Sequence, residues 1–313
     1  MHIGIDMMGG DYAPQEAVRG VLQFLQSSES SVQLTLIGDE QQVRPLLSDA
    51  PAPDRFKVVH APELIGMQEH ATRALKEKPN SSIAKGFRLL AGGEIDAFIS
   101  AGNTGAMMVG TFYSIKSIEG VLRPTISTIM PKLEGGYGIV LDVGLNADCK
   151  AENLAQFAVL GSLYAQHILG IDQPKVGLVN IGEEEGKGNL LCQAAYPLLK
   201  ASTQINFIGN IEGRDIFRSK ADVMVCEGFT GNVILKLAES IYDIAHYRGL
   251  AEDEYLRRFH YENYGGTPIL GVSKPVIIGH GISGAAAFKN MILLAQKMIE
   301  TDLLGKMKDS FVI

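Results

Sequence analysis

ISAGNTGAMMVG, residues 99–110, is the stretch on which the fold turns. A short apolar run, 97–99, enters Ser-Ala-Gly-Asn-Thr-Gly, and apolar residues resume at 106–109. A buried strand that passes through a glycine turn into a helix reads this way. Free N–H groups in the first turn of such a helix, together with its dipole, also favour an anion there. The turn therefore has a structural reading and an anion-binding one, and the rest of the chain has to separate them.

Working outward, apolar runs of strand length recur at 2–6, 32–38, 56–60, 96–100, 125–130, 137–143, 175–181, 204–210, 221–227 and 275–279. Stretches of helical period lie between most of them, at 14–26, 81–91, 103–114, 151–169, 189–200, 232–247 and 285–301. Strands apolar throughout, alternating with helices, predict a three-layer α/β/α fold with a mostly parallel, mixed sheet. TISTIM (125–130) and YGIVLDV (137–143), joined through PKLEGG, read as an antiparallel hairpin within it. No repeat or linker divides the 313 residues, so one domain over 1–313 is expected. A charged and aromatic segment, RGLAEDEYLRRFHYENY (248–264), suggests a small protruding helical element around 240–264, or else a solvated connection.

Composition narrows the function. Hydrophobic residues make up 46% and charged residues 20%, with a net charge of −7, which argues against bulk attraction to nucleic acid. Cys149, Cys192 and Cys226 show no CxxC spacing, so neither a disulfide framework nor a structural zinc site is expected. The N-terminus enters a strand without signal-peptide character, and no apolar run reaches the ~20 residues of a spanning helix; a cytoplasmic protein is the expectation.

In open α/β sheets, ligands sit beyond the carboxyl ends of the strands. Seven expected strand ends carry Gly, Asn or Asp: DMMGGD (6–11), SAGNTG (100–105), LDVGLNAD (141–148), NIGEEEGKGN (180–189), GNIEGRD (209–215), EGFTGN (227–232) and GHGISG (279–284). One such turn is usually structural; seven on one edge favour a shared polar pocket. No nucleotide fingerprint fits. GEEEGKG (182–188) is one residue short of a Walker A loop, puts Gly188 where Ser or Thr would hold magnesium, and carries three glutamates that repel phosphate. GxSxG and HExxH are absent. The remaining chemistry needs no protein nucleophile: Asn103, Thr104 and Gly105 at a strand-to-helix turn, Asn232 at a second helix start, and Lys187 and His280 as donors or cations.

At these ends the sequence resembles the acyl-ACP:phosphate acyltransferase (PlsX) family. The matching stretches are IDMMGGDYAP, SAGNTGA, RPTISTIMP, LDVGLNAD, VGLVNIGEEEGKGN, FIGNIEGRDI, GFTGNVILK, YGGTPILGV and the HG of GHGIS, in order along the whole chain. The resemblance implies a fold like isocitrate dehydrogenase and phosphotransacetylase, a homodimer, and the reaction of acyl-ACP with inorganic phosphate to give acyl-phosphate and ACP. It implies acyl carrier protein as partner, a downstream glycerol-3-phosphate acyltransferase, and neither metal nor nucleotide cofactor. On this reading Lys187, His280 and Asn146 act catalytically, His280 or Asn146 polarising the thioester carbonyl. Asp6, Gly9, Gly10, Asp11, Ser100, Asn103, Thr104, Gly105, Asp148, Asn180, Gly231 and Asn232 form the phosphate and substrate site. Asp6, Asp11 and Asp148 are expected to orient turns and donors.

The sequence departs from the family pattern at Leu145, where alanine is usual, at Glu227, where aspartate is usual, and in a shortened, charged 248–264 segment. That segment puts peripheral membrane contact in doubt. Docking an acidic ACP requires a basic cluster, drawn from Arg73, Lys76 and Lys78, from Arg214, Arg218 and Lys220, or from Arg248, Arg257 and Arg258. A phosphate acetyl- or butyryltransferase using acyl-CoA, and a non-catalytic ACP-binding partner, are the alternatives. A dehydrogenase is suggested by fold analogy alone.

Overall fold

The computed structural model describes residues 1–27, 31–250 and 252–311. They form two compact units. The first comprises Met1–Ser117 and Tyr261–Glu300, the second Ile118–His260 and Thr301–Ile313.

In the first unit the chain runs β1 (His2–Asp6), α1 (Gln15–Ser27), β2 (Gln33–Gly38), α2 (Glu40–Leu46), β3 (Phe56–His60), α3 (Ala71–Glu77), α4 (Ser82–Ala91), β4 (Ala97–Ser100) and α5 (Thr104–Gly110), the last continuing as a π-helical turn over Thr111–Ile115. The second unit supplies β5 (Thr125–Pro131), β6 (Tyr137–Leu141), α6 (Ala151–His167), β7 (Lys175–Asn180), α7 (Leu190–Ala201), β8 (Asn206–Glu212), β9 (Val223–Val225), α8 (Gly228–Tyr247) and α9 (Glu254–Arg257). β10 (Thr267–Leu270), β11 (Val276–Ile278) and α10 (Ala285–Glu300) return to the first unit, and α11 (Leu303–Phe311) closes the second.

The first unit pairs its strands in the order β3-β2-β1-β4-β11-β10, parallel except for the antiparallel β10–β11 contact. Every residue of β4 is buried, as are the last four of β1, because helices cover both faces. Phe98 of β4 reaches Gly86 of α4, while α1 and α10 pack on each other and α10 also meets β1, β4 and β11. The second unit pairs β5-β6-β9-β7-β8. Only β5–β6 is antiparallel there, which is the hairpin expected from TISTIM and YGIVLDV. α6 lies on β6, β9 and β7, and α7 on β7 and β8. The mixed α/β architecture with mostly parallel pairing agrees with the expected fold class.

Side-chain caps set most helix starts. Ser81 caps α4 through Ala84 N–H at 3.3 Å, and Asn189 caps α7 through Cys192 N–H at 2.9 Å. Three differences from the sequence reading have physical causes. β10 goes unseen because Pro268 interrupts its apolar run and cannot donate to a ladder. α2, with an internal proline, and α3 are seven-residue helices too short for periodicity to show. α8 begins at Gly228, one turn before the expected start at 232, because the Glu227 carboxylate accepts from Thr230 N–H at 3.0 Å and Thr230 Oγ1 at 2.6 Å.

Within 248–264, Ala251 lies outside the described residues. The middle of this segment is packed down and is no solvated connection. Tyr255 Oη donates to Pro131 O at 3.3 Å, Phe259 meets Phe217 edge-on at 5.3 Å, and the Arg258 guanidinium lies 4.6 Å over the Tyr137 ring.

Candidate functional site

The polar strand ends fall into two groups. Loops after β1, β4 and β11 gather at the carboxyl edge of the first unit's parallel strands, and loops after β6, β7, β8 and β9 at that of the second.

In the first unit Asp6 organises the group. It is fully buried where β1 ends, accepting the Ser100 hydroxyl at 2.6 Å and Met8 N–H at 3.0 Å. Ser100 Oγ in turn accepts Gly102 N–H at 2.9 Å, which ties the β1 and β4 turns into one network. Gly9 permits this approach: a Cβ there would sit 2.5 Å from both Asp6 Oδ2 and Gly102 N. Asp11 N–H donates to Gly281 O at 2.7 Å, and Gly279 N–H to Ser100 O at 2.8 Å, adding the β11 loop. The Gly10 backbone passes beside Gly281 O and Ala101. Burial pushes the Asp6 pKa up, against the pull of its bonds from Ser100 and Ser82.

Asn103 holds the turn itself together. Its Oδ1 caps α5 by accepting Ala106 N–H at 2.9 Å. Its Nδ2 donates to Gly66 O, Met67 O and Glu69 O at 3.0, 3.2 and 3.0 Å. The amide is committed to the protein and has no donor left for a ligand; it is an organiser of the turn. Thr104, exposed, and Gly105, half-buried, keep first-turn N–H groups that no intrahelical carbonyl can reach. The 66–69 loop escaped sequence reading. It is closed by Glu69, whose carboxylate accepts Gly66 N–H at 2.7 Å and Lys78 Nζ at 2.5 Å, and these two partners hold its pKa down. His280 is half-buried, its ring 4.7 Å from Tyr261.

In the second unit the organiser is Asp142, a residue absent from the expected site. Fully buried, it accepts Gly144 N–H and Leu145 N–H on one oxygen, each at 2.8 Å, and Asn146 N–H at 3.1 Å and Asn146 Nδ2 at 2.6 Å on the other. Burial raises its pKa too, opposed by these four donors. Its signature was available: an aspartate ending an apolar strand just before a glycine turn, as in HIGIDMMGG.

Asn146 spends its second amide hydrogen on Pro124 O at 2.8 Å, so it has no donor for a thioester carbonyl. The sequence reading gives the carbonyl to His280 or Asn146, and both amide hydrogens of Asn146 are bound within the protein. Asn232 sits in the second turn of α8, not at its start, and donates to Val143 O at 3.1 Å. Gly231 is required: a Cβ would lie 1.7 Å from Asp142 O. The side chain of Asp148 is exposed, while its carbonyl accepts from Arg123 at 2.9 Å. Asn180 closes the 181–188 loop by donating to Lys187 O at 3.1 Å and accepting Ile181 N–H at 2.8 Å. Lys187 is half-exposed, with Glu184 no nearer than 3.9 Å.

The cysteines are poor nucleophiles. Burial and the neighbouring Asp142 charge push the Cys149 thiol up to about 11, and burial raises Cys226 and Cys192. Among the described residues no group of three or more His, Cys, Asp or Glu is arranged to hold a metal, and no helix is long and apolar enough to cross a membrane. Of the proposed basic clusters, Arg73 pairs with Glu77 at 2.9 Å, Lys78 with Glu69, Arg214 with Glu212 at 2.6 Å and Lys220 with Glu183 at 2.6 Å. Arg257 lies 3.6 Å from Glu252 and Arg258 is tied to the Lys132 carbonyl at 3.1 Å.

Comparisons with known proteins now bear on these loops. The structure resembles a phosphotransacetylase from Streptococcus pyogenes (TM-score 0.67, 20% identity, 96% of this chain and 94% of that one). It also resembles the EutD phosphotransacetylase from Staphylococcus aureus (TM-score 0.64, 18% identity, 95% and 94%). At those identities the likeness establishes the fold. In sequence, the chain is 43% identical to a phosphate acyltransferase of Desulforamulus reducens over 98% of its length and 96% of that protein's. It is 42% identical to one of Dictyoglomus turgidum over the same shares. The family described as "Fatty acid synthesis protein" matches residues 1–306. With that span and those identities, the chain belongs to the phosphate acyltransferases of the fatty acid synthesis protein family.

Proposed function

We propose that this protein transfers an acyl group from acyl carrier protein to inorganic phosphate, giving acyl-phosphate and free ACP thiol for bacterial phospholipid synthesis. A phosphate oxygen attacks the thioester carbonyl carbon, the C–S bond breaks, and the thiol leaves as a good leaving group with pKa near ~8.5. Phosphate is the nucleophile, so no protein nucleophile is required. The observation that carries the reading is the network of loops held by a buried aspartate beside the first-turn N–H groups of Thr104 and Gly105, in a chain whose three thiols have raised pKa values.

Within the first unit, the Thr104 and Gly105 N–H groups at the start of α5 are the donors for phosphate, and His280 polarises the carbonyl. A donor aimed at a developing oxyanion is worth roughly 3–4 kcal/mol, and positioning of phosphate contributes further. Within the second unit, Lys187 is the cation that meets a phosphate-bearing group. A cytoplasmic homodimer belongs to the same proposal. The exposed row Phe229, Val233, Leu237, Ile244 and Tyr247 along α8 is the surface a second copy would cover.

The test mixes the protein with palmitoyl-ACP and inorganic phosphate, traps acyl-phosphate with hydroxylamine and counts free thiol. Phosphate-dependent release of both in equal amounts supports the reading. Thiol release without phosphate indicates a thioesterase. Activity on acetyl-CoA alone moves the protein to a phosphate acetyltransferase.

A further inference from the structure

The loop that presents Lys187 carries Glu183, Glu184 and Glu185, three charges of the wrong sign for a residue that is to meet phosphate. The structure shows how they are balanced. Lys220 Nζ lies 2.6 Å from Glu183 and 3.0 Å from Asp215. Lys200 Nζ lies 2.9 Å from Glu185. Both lysines come from outside the loop, Lys200 from α7 and Lys220 from the turn before β9. Each has its pKa raised, first of all by its glutamate bond. Glu184 is left as a loose neighbour of Lys187.

The loop backbone is held as well. Asn210, buried in β8, donates to Glu184 O at 2.8 Å; Asn180 donates to Lys187 O at 3.1 Å; Gln193 of α7 donates to Gly186 O at 3.3 Å and Gly188 O at 3.0 Å. Four carbonyls of one short loop thus accept side-chain amides. These bonds fix the backbone from which Lys187 projects.

We propose that Lys220 and Lys200 are positioning residues for Lys187. They cancel the loop's own negative charge, so that Lys187 meets an anionic substrate group without repulsion from the glutamates beside it. This rests on the phosphate-transfer reading above.

The experiment measures kcat and KM for inorganic phosphate with palmitoyl-ACP as donor. K220M, which leaves Glu183 uncompensated, is expected to raise the KM for phosphate about three- to tenfold, with kcat changed less than about twofold. Raising the ionic strength shrinks that defect. K220R retains the wild-type KM, and the double variant E183Q/K220M returns to within about twofold of it. E185Q, an exposed change that removes one negative charge and keeps Lys200, lowers the KM for phosphate even if K220M folds poorly. An unchanged KM in K220M and E185Q, or a double variant as impaired as K220M, overturns the proposal. Wild-type protein without phosphate-dependent turnover overturns the functional reading instead.

Discussion

β1 ends in a fully buried aspartate and β6 is followed by one, each leading into a glycine-bearing turn, yet the two carboxylates build different things. Asp6 reaches across the sheet to Ser100, 94 residues away, and so joins two strand-end loops. Asp142 turns back on its own loop and takes four donors from residues two to four positions on. The first is a cross-strand tie, the second a local turn closure. Each also has a glycine packed against it whose Cβ would collide: Gly9, three residues on, against Asp6 itself, and Gly231, in the first turn of α8, against the Asp142 carbonyl. In both places the buried carboxylate gathers and orients hydrogen-bond donors.

The largest effects should come from the collisions. Gly231→Ala places a methyl where Asp142 O already sits and should cost on the order of 3 kcal/mol or more in urea denaturation. Gly9→Ala, where a turn can shift, should cost about 1–3 kcal/mol. Equal losses would show that the α8 backbone yields at Gly231 as readily as the loop does at Gly9.

Next come the carboxylates. Asp142→Ala strands four donors and should lose roughly 3–5 kcal/mol, against about 2–3 kcal/mol for Asp6→Ala. The reverse order would show that the cross-strand tie is the stronger device. Asn103→Ala removes the α5 cap and three tethers to 66–69. It should lower the melting temperature and reduce kcat more than ~100-fold through a displaced turn, since oxyanion-type donors are worth that much. Asn103→Asp keeps the cap and loses the tethers, so a normal rate in that variant would assign the effect to the helix start alone.

pH separates the aspartates from the other acids. Their folded pKa values lie above the ordinary 3.8, so the stability each contributes is fully present below 3.8 and lost as pH rises through the folded value. The stability difference between wild type and D6N or D142N should therefore fall as pH rises above 3.8, then level off. Glu69, whose pKa is lowered, gives the opposite trend, its contribution disappearing as pH falls. The smallest effect concerns Cys149: at pH 8 it should react with iodoacetamide more slowly than a free cysteine, because burial and Asp142 hold the thiol protonated.

Much of this was legible in the residues. Apolar runs marked ten of the eleven strands among the described residues, because buried parallel strands need apolar side chains on both faces. The Gly, Asn and Asp turns marked the carboxyl edges, because close backbone approach leaves few residue types free to serve there. What a polar side chain does with its hydrogen bonds was not legible. Asn103 and Asn232 read as helix starts that hold phosphate and Asn146 as a carbonyl donor, and each donates its side-chain amide inward, to carbonyls at distances no local pattern encodes. Asp142 went unnoticed, and Lys220 read as part of a docking patch, because their roles depend on which donors and charges the tertiary structure brings within about 3 Å. Sequence by itself determined the strands, the turns and the family. Only the tertiary structure decided which polar groups remain free to meet a substrate, since a hydrogen bond satisfied inside the protein removes a donor as surely as a mutation does.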